Sequence, residues 1–296
     1  MSGANVAVIG GSGFYDMEGL KDGREVRCDT PFGQPSDAIV LGTLSGAPVA
    51  FLARHGRGHR LLPSEVPARA NIYALKTLGV ERIISINAAG SLREEIAPRD
   101  LVVPDQLIDR TTGRPSSFFG GGLVAHVSIG DPFCPEMSRL LAEGARQAGA
   151  TVHEGGTAVV IEGPAFSTKA ESRLYRSWGA DLVSMTFLPE AKLAREAGIC
   201  YSALACVTDY DVWHKREAEV TAQMILDNLV LTVENARRTI AVAIQNVPSQ
   251  RSCRCAFALG DAVATSIPAV PMATLEKLGP IITDYMAGAG ATDGSE

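Results

Sequence analysis

Two short segments combine an aromatic ring, hydroxyl groups and carboxylates directly after apolar runs. These segments are Glu162–Thr168 and Val207–Asp211. Phe166 could stack on a flat heterocycle, while Asp209 and Asp211 could address its ring nitrogens, so the set is typical of a purine site. The alternative is that Asp209 to Asp211 forms a turn and Phe166 belongs to the core.

The glycine loop Gly10–Gly13 follows a predicted strand near the N-terminus. A dinucleotide fingerprint counted from Gly11 would need its final glycine where Asp16 stands, and the chain has no G-K-[ST] of a P-loop. The backbone amides and the Ser12 hydroxyl could instead hold a small oxyanion such as phosphate. A purely structural turn is the alternative.

A second group of donors begins at Arg54, after another predicted strand. Arg54 could bind an oxyanion with its planar fork, and His55 could add a hydrogen bond. Neutral donors follow other predicted strands, at Ser12, Asn87, Ala88 and Thr186. One arginine with several neutral donors suits a single inorganic phosphate, whereas the alternative for Arg54–His59 is a solvated loop.

Composition indicates a soluble α/β protein. The 296 residues are 46% hydrophobic, which is enough to bury a large core. A formal net charge of −6 argues against broad binding to nucleic acid or to anionic membranes. We find neither an apolar run of about 18 residues nor a signal-peptide pattern, so we expect a cytoplasmic protein.

The six cysteines stand at positions 28, 134, 200, 206, 253 and 255. They form no C-x-x-C pair and have no histidine at zinc-ligand spacing, so the sequence predicts no structural metal site. Cys253 and Cys255 could form a strained disulfide, but two reduced thiols are the expectation in the cytosol.

Apolar β-branched runs alternate with segments of helical spacing along most of the chain. The predicted strands are 5–9, 48–52, 82–86, 100–103, 158–161, 181–183 and 200–206, and the predicted helices are 68–78, 135–148, 170–178 and 190–197. This alternation predicts an α/β fold with a central mixed β-sheet flanked by helices. Ligands bind beyond the carboxyl ends of strands in such sheets, where the candidate residues fall.

The C-terminal part is predicted to be mostly helical. A long amphipathic helix is expected over 217–246, an irregular connector over 247–271 and a final helix over 274–286, before a tail that we expect to fray. No linker divides the chain clearly. We therefore predict one main domain over 1–246 and a C-terminal extension over 247–296 that packs on it.

Eight short stretches, which run in order from about residue 5 to residue 245, carry a resemblance to a known family. They are Gly10–Gly13, Asp29–Gly33, Ala53–Gly56, Ala70–Ile72, Gly90–Glu94, Glu162–Pro164, Ser184–Thr186 and Thr208–Asp211. Together they resemble the 5′-methylthioadenosine phosphorylases of the trimeric purine nucleoside phosphorylase family. The resemblance implies a nucleoside phosphorylase fold for the 1–246 domain.

The resemblance also implies a reaction. Inorganic phosphate, as co-substrate, attacks C1′ of 5′-methylthioadenosine and releases adenine and 5-methylthioribose 1-phosphate, a step of purine and methionine salvage that needs no cofactor or metal. The implied phosphate contacts are Ser12, Arg54, His55, Asn87, Ala88 and Thr186, and Asn87 stands where the family usually has threonine. The implied substrate contacts are Phe166, Ser167, Met185, Asp209 and Asp211.

Asp209 is the candidate catalytic residue. Adenine leaves C1′ only if it is relieved of negative charge, so a carboxylic acid near N7 should act as general acid. We expect the pKa of Asp209 to be raised by desolvation and by the neighbouring Asp211, since two close carboxylates resist ionising together.

The resemblance places the 5′ substituent in an apolar pocket shared between subunits. Ile225 and Leu226 would line it, although ordinary helix-face core is their alternative, and His126 would reach across from a neighbouring subunit. A homotrimer is therefore implied, with a dimer of trimers as the alternative. Phe187 and Leu188 are bulkier than the usual Thr-Val, which could reshape the ribose or 5′ pocket.

Rival functions remain in different classes. One is a phosphorylase of 5′-methylthioinosine or of 6-oxopurine nucleosides. Two aspartates at the base site favour an amino-bearing base and therefore argue against this alternative. A nucleotide-binding dehydrogenase is disfavoured by Asp16 in the glycine loop. A purine-binding module without catalysis would bind adenine nucleoside but show no turnover with phosphate.

Overall fold

The structure is a computed structural model that describes residues 4–11, 13–14, 19–214 and 221–289. Within these ranges the strands are β1 (Val6–Gly10), β2 (Lys21–Val26), β3 (Ile39–Leu44), β4 (Ala47–Ala53), β5 (Arg82–Ser91), β6 (Leu101–Val103), β7 (Gln106–Arg110), β8 (Val152–Glu154), β9 (Thr157–Ile161), β10 (Leu182–Ser184) and β11 (Cys200–Asp209). The helices are α1 (Ala68–Thr77), α2 (Pro135–Gln147), α3 (Lys169–Ser177), α4 (Glu190–Glu196), α5 (Ala222–Gln245), α6 (Met272–Leu278) and α7 (Thr283–Ala289).

One branched mixed sheet joins these strands. At its centre β1 pairs in parallel with β4 and β5, and β11 also pairs in parallel with β5. The antiparallel strands β2 and β3 extend the sheet beyond β4, while β10, β9 and β7 continue it from the end of β5. The fold predicted from the sequence, a central mixed sheet flanked by helices, is confirmed.

Helices cover both faces of the sheet, as the alternation of side chains along β1 shows. Val6 and Val8 belong to a hydrophobic cluster with α2 and α5. Ala7 and Ile9 point to the opposite face and belong to a cluster with α1 and α4. The strand ends that carry the candidate residues are therefore held between two helical layers.

Two strands extend further than the sequence predicted. β5 continues past Ile86 to Ser91, and β11 continues past Cys206 to Asp209. The small polar residues after Ile86 have little β-propensity of their own, but pairing with β11 and β10 satisfies their backbone groups. Asn87, Ala88 and Asp209 consequently lie within strands and not in the loops where the sequence placed them.

Short or exposed elements were missed by the sequence reasoning. β2, β7 and β8 lack the continuous apolar runs that mark the buried strands, and β3 carries only a short one, Ile39–Leu41, before Gly42. The final helix predicted over 274–286 is instead divided into α6 and α7 by a 3-10 turn at Gly279–Ile281. Gly279 adopts a positive φ of 45°, and Pro280 cannot donate the backbone hydrogen bond of a continuous helix.

The C-terminal extension packs against the main body. Leu278, Ile281 and Ile282 join the cluster on the α1 side, and Cys255 joins the cluster on the α2 side. The boundary at residue 246 stays a prediction, and residues 290–296 of the tail lie outside the described residues. No helix in the described ranges is long and apolar enough to cross a membrane.

Candidate active site

Strand β5 connects the two groups of candidate residues. Asn87 donates from Nδ2 to Thr186 Oγ1 at 2.8 Å, and Gly90 is the register partner of Asp209. The three residue steps from Asn87 to Gly90 span about 10 Å of extended chain. Asn87 and Thr186 therefore lie about 10 Å along β5 from the level of Asp209, a distance that a nucleoside can bridge.

Arg54 follows β4 directly and is buried, with 1% of its surface exposed. Its Nε and Nη2 donate to the Glu190 carboxylate at 2.5 and 3.1 Å, and Nη2 also donates to Ser85 Oγ at 2.6 Å. Its Nη1 donates to Ile86 O at 2.7 Å and lies only 2.8 Å from where a β-carbon of Gly11 would stand. The fork predicted to grip an oxyanion is thus occupied by Glu190, and Nη1 is the nitrogen beside the glycine loop.

Close packing explains one glycine of that loop. A β-carbon at Gly11 would come within 2.7 Å of the Ile86 carbonyl oxygen, so only glycine fits there. Ser12, which was predicted to bind the oxyanion, lies outside the described residues. The role of Ser12 therefore stays a prediction.

His55 is buried beside Arg54 and has a defined tautomer. Its Nδ1 lies 2.9 Å from Leu61 O, and because a carbonyl oxygen only accepts, Nδ1 carries the proton. Burial, together with the charge of Arg54, lowers the pKa of His55 to about 4. At neutral pH the ring is uncharged and Nε2 is an acceptor, so an oxyanion that meets Nε2 must itself bring a hydroxyl, as hydrogen phosphate does.

Asn87 and Thr186 form the second part of the predicted oxyanion site. Asn87 Oδ1 accepts from Ser85 Oγ at 3.0 Å, which fixes the orientation of the amide. Because Thr186 Oγ1 accepts from Asn87, its own hydrogen is available to a ligand. Ser184 Oγ donates to Ala88 O at 2.9 Å and holds the end of β10 against β5. The structure thus brings Asn87, Ala88 and Thr186 together.

Asp209 ends β11 and is 6% exposed. Thr208 Oγ1 donates to Oδ2 at 2.7 Å, and the Asp211 backbone N–H donates to Oδ1 at 2.7 Å. Desolvation raises the pKa of Asp209 although both hydrogen bonds oppose the effect. Desolvation acts on the pKa of Asp209 in the expected direction and favours a carboxyl that holds a proton, whereas the charge of Asp211 does not contribute to the shift.

Asp211 lies beside Asp209 with a positive φ of 50°, as aspartate tolerates in turns. Desolvation raises its pKa, and the charge of Asp209 adds to the rise, so the expected repulsion acts on this residue. Its Oδ2 is buried and has no hydrogen-bond partner among the described residues. The hydroxyls of Ser167 and Ser172 are near enough to lower this pKa, yet both are likewise buried without a partner there. An unpaired buried acceptor beside two unpaired hydroxyls fits a polar ligand group.

Phe166 and Met185 stand where a ring and a sugar could lie. Phe166 is 42% exposed, which contradicts the alternative that it belongs to the core. Met185 packs against Gly163, where an added β-carbon would meet its Sδ at 2.6 Å. Phe166 is exposed in the segment between β9 and α3, and Met185 is half-buried directly after β10.

Phe187 and Leu188 are buried in the core. Their exposed fractions are 0% and 3%, and both belong to the hydrophobic cluster on the α1 side. The expectation that their bulk reshapes the ribose or 5′ pocket stays a prediction.

The residues predicted for the 5′ pocket are only partly placed. Ile225 is half-buried on α5, and the side chain of Leu226 lies outside the described part of the chain. His126 is exposed, and its backbone N–H donates to Ala262 O at 2.8 Å. An exposed position is what a residue serving a neighbouring subunit requires, but the contact itself stays a prediction.

Sequence reasoning missed two residues that position the site. Glu190 begins α4 and binds Arg54, and Arg114 donates to the carbonyl oxygens of Met185 and Leu188 at 2.5 and 2.8 Å. Arg114 also donates to the carbonyl oxygen of Glu162, so one guanidinium joins the ends of β9 and β10. Neither residue lies in a recognisable motif, and only the fold brings it to the site.

A family model described as the phosphorylase superfamily matches residues 5–245. The chain is 56% identical over 289 residues to the S-methyl-5′-thioadenosine phosphorylase of Gloeobacter violaceus, covering 96% of this chain and 97% of that protein. It is 49% identical over 263 residues to the S-methyl-5′-thioadenosine phosphorylase of Thermofilum pendens, covering 89% of this chain and all of that protein.

Solved structures give the same result. A methylthioadenosine phosphorylase from an antarctic soil metagenomic library superposes with a TM-score of 0.90 at 49% identity, covering 95% of this chain and 99% of that one. The methylthioadenosine phosphorylase of Schistosoma mansoni in complex with adenine superposes with a TM-score of 0.82 at 37% identity, covering 86% and 95%. The chain therefore belongs to the phosphorylase superfamily and, within it, to the S-methyl-5′-thioadenosine phosphorylases.

Proposed function

We propose that this chain catalyses the phosphorolysis of 5′-methylthioadenosine to adenine and 5-methylthioribose 1-phosphate. The observation that carries the proposal is the placement of Asp209, a buried carboxyl with a raised pKa, beside Gly90 of β5, three residues along that strand from Asn87 and its partner Thr186. The relatives named above support it, and a variant of the adenosine/methylthioadenosine phosphorylase from Schistosoma mansoni was solved with methylthioadenosine.

At the base end, Asp209 serves as the general acid. Its proton passes to N7 of adenine as the bond between C1′ and N9 breaks, so the bond's electron pair leaves with a neutral base. Asp211 Oδ2, which has no partner among the described residues, accepts from the exocyclic amino group. Phe166 and Ser167 flank the ring, and proton donation of this kind contributes about 10²–10⁴-fold to the rate.

At the phosphate end, one oxygen of hydrogen phosphate forms the new bond to C1′. Arg54 Nη1, Asn87 and Thr186 donate to the other oxygens, with Ser12 and the Ala88 backbone as further contacts. The neutral His55 accepts from the phosphate hydroxyl through Nε2, because Nδ1 is committed to Leu61. The phosphate charge stabilises the positive charge that develops on the ribose, whose hydroxyls Met185 addresses.

The 5′ pocket is formed by two subunits of the enzyme. The 5′-methylthio group lies against Ile225 and Leu226, with His126 supplied by a neighbouring subunit of a homotrimer. Proton transfer and oxyanion binding are both supplied by side chains, so the reaction needs no cofactor. We place the enzyme in the cytoplasm, in purine and methionine salvage.

The test is base release from 5′-methylthioadenosine, 5′-methylthioinosine, adenosine and inosine, each with and without phosphate. We expect 5′-methylthioadenosine to react fastest and only with phosphate, since a buried thiomethyl group contributes about 1–3 kcal/mol. Faster release from the inosine compounds would contradict the assignment of the base. Binding of adenosine without any turnover would indicate a binding module.

A variant at Asp211 tests the base contact separately. Asp211→Asn replaces an acceptor by a group that can also donate, so it should lower the ratio of kcat/KM for 5′-methylthioadenosine over 5′-methylthioinosine by about tenfold or more. Ser138→Ala on α2 is a control outside the site, and its ratio should equal that of the wild type. An unchanged ratio in Asp211→Asn would show that Asp211 does not contact the amino group.

A further inference from the structure

Four of the six cysteines meet at one point of the fold. This thiol cluster consists of Cys134, Cys200, Cys253 and Cys255, whose Sγ atoms all lie within 4.8 Å of one another. Cys200 and Cys253 are 3.2 Å apart, and all four are free thiols. The cluster is remote from the candidate active site, because Cys200 begins β11 and Asp209 ends it, about 30 Å away along the strand.

The spacing of the sulfurs matches a metal site better than disulfides. Four thiolates around zinc at about 2.3 Å form a tetrahedron with edges of about 3.8 Å. A disulfide would bring two sulfurs to about 2.05 Å. Cys200 Sγ and Cys253 Sγ are 3.2 Å apart and no two of the four sulfurs are more than 4.8 Å apart, limits that include the tetrahedral edge.

The surroundings suit a buried group of negative charge. Cys134, Cys200 and Cys255 are 1%, 1% and 3% exposed, while Cys253 is half-buried and gives access from solvent. Cys134 is the N-cap of α2, where the helix dipole favours a thiolate. Arg195 Nη1 lies 3.9 Å from Cys255 Sγ and supplies a positive charge.

We propose that the thiol cluster is a structural zinc site that fastens the C-terminal extension to the main body. Zinc binds four thiolates, and the protons of those cysteines that were still thiols pass to solvent. No electron is transferred. This proposal differs from the sequence-based prediction of no structural metal site. That prediction considered only the spacing of cysteines along the chain, whereas three separate segments supply these four ligands.

The fold prepares these segments for such a role. Arg251 Nη1 donates to Gly198 O at 2.7 Å, and the Ser252 backbone N–H donates to Glu136 Oε2 at 3.1 Å. Both contacts join the extension to the elements that carry Cys134 and Cys200. Because the ligands are held before the ion arrives, binding needs little rearrangement.

The experiment measures zinc in protein made in zinc-supplemented medium and purified with reductant, without a metal-affinity step. We expect about one zinc per chain after gel filtration in a weak chelator, released in proportion to mercurial added to the thiols. Cobalt in place of zinc should give the strong visible absorption of tetrahedral cobalt with thiolate ligands. These two measurements need no variant and therefore do not depend on a substituted protein that folds.

Variants identify the ligands. Cys253→Ser, at the most exposed position, and Cys255→Ser should lose the zinc, whereas Cys28→Ser, outside the cluster, should keep it. Protein without zinc and with six reactive thiols in denaturant would overturn the proposal. Protein without zinc and with four or two reactive thiols would overturn it in favour of disulfides within the cluster.

Discussion

At the scale of single residues, burial disfavours the charged form of two ionisable groups at opposite ends of the site. Desolvation raises the pKa of Asp209, which favours its acid form, and lowers the pKa of His55 to about 4, which favours its neutral ring. A protonated acid suits a leaving base, and a neutral imidazole suits hydrogen phosphate. The same physical cause therefore prepares both ends for the reaction.

Replacing Asp209 separates activity from stability. Asp209→Asn should lower kcat/KM by about 10²–10⁴-fold, because the amide cannot give up a proton. The pKa of Asp209 is higher in the folded chain than in the unfolded chain. Its contribution to stability is therefore fully present at pH values below the pKa of the unfolded chain, and it is lost as pH rises through the pKa of the folded chain. The variant should therefore have a larger free energy of unfolding at pH 7 in urea titrations. A variant that is both inactive and less stable would contradict this account.

His55 should make stability depend on pH with the opposite sign. Its folded pKa of about 4 lies below its ordinary 6.5, so stability is lost as pH falls between these values. His55→Asn keeps a donor for Leu61 but cannot titrate. Between pH 7 and pH 4.5 the wild type should lose about 2–3 kcal/mol relative to the variant in urea titrations. Parallel losses in both proteins would show that His55 does not titrate as described.

At the scale of elements, β5 sets the geometry of the site because it pairs with β1, β10 and β11. Ser85 of β5 accepts a hydrogen bond from Arg54 and donates one to Asn87 on the same strand. Gly90, further along β5, leaves space for the carboxyl of Asp209. Arg114 then ties the ends of β9 and β10 together. The chemistry depends on a few close approaches between neighbouring strands.

Gly90 tests that dependence. An alanine β-carbon at Gly90 would stand 2.8 Å from Asp209 Oδ1 and 3.2 Å from Val183 Cγ1, so the carboxyl must move. Gly90→Ala should cost about 1–3 kcal/mol of stability and lower kcat/KM at least tenfold. Gly130→Ala, with no atom within 4 Å of its β-carbon, is the matched control. Full activity in Gly90→Ala would show that the position of Asp209 is not tightly constrained.

At the scale of the whole molecule, the C-terminal extension reaches elements far from it in sequence. Ala125 forms a β-bridge with Val263, and the His126 backbone N–H donates to Ala262 O, so the extension holds the loop that carries His126. The proposed zinc site would fasten the same extension near its start. An exposed His126 on a supported loop is well placed for contact with another subunit.

Mixed oligomers test whether sites are shared between subunits. His126→Ala alone should lower kcat/KM for 5′-methylthioadenosine, and co-assembly of His126→Ala with Asp209→Asn chains should restore wild-type sites in a share of the mixed oligomers. Co-assembly of Asp209→Asn with Asp211→Asn is the control, because both residues belong to one chain's site. Light scattering gives the oligomer mass, and absence of recovery in an assembled mixture would contradict the sharing of His126.

Local sequence predicted most of the buried strands and helices and supplied the candidate residues of the site. Apolar runs marked β1, β4, β9 and β11, and helical periodicity marked α1 and α2, because these patterns follow directly from which side chains must be buried. The segments around Phe166, Asp209 and Asp211 were identified because their residue types suit a purine. The residue types alone did not predict how far these segments lie from the phosphate donors.

Tertiary structure decided what depends on contacts between distant segments. Glu190 occupies the fork of Arg54, Arg114 joins two strand ends, and four cysteines from three segments form one cluster. The small residues after Ile86 became strand because neighbouring strands pair with them. Burial then shifted the pKa values of Asp209 and His55. Local sequence determines which groups are present, but only the packed chain fixes which groups lose water and which partners they meet.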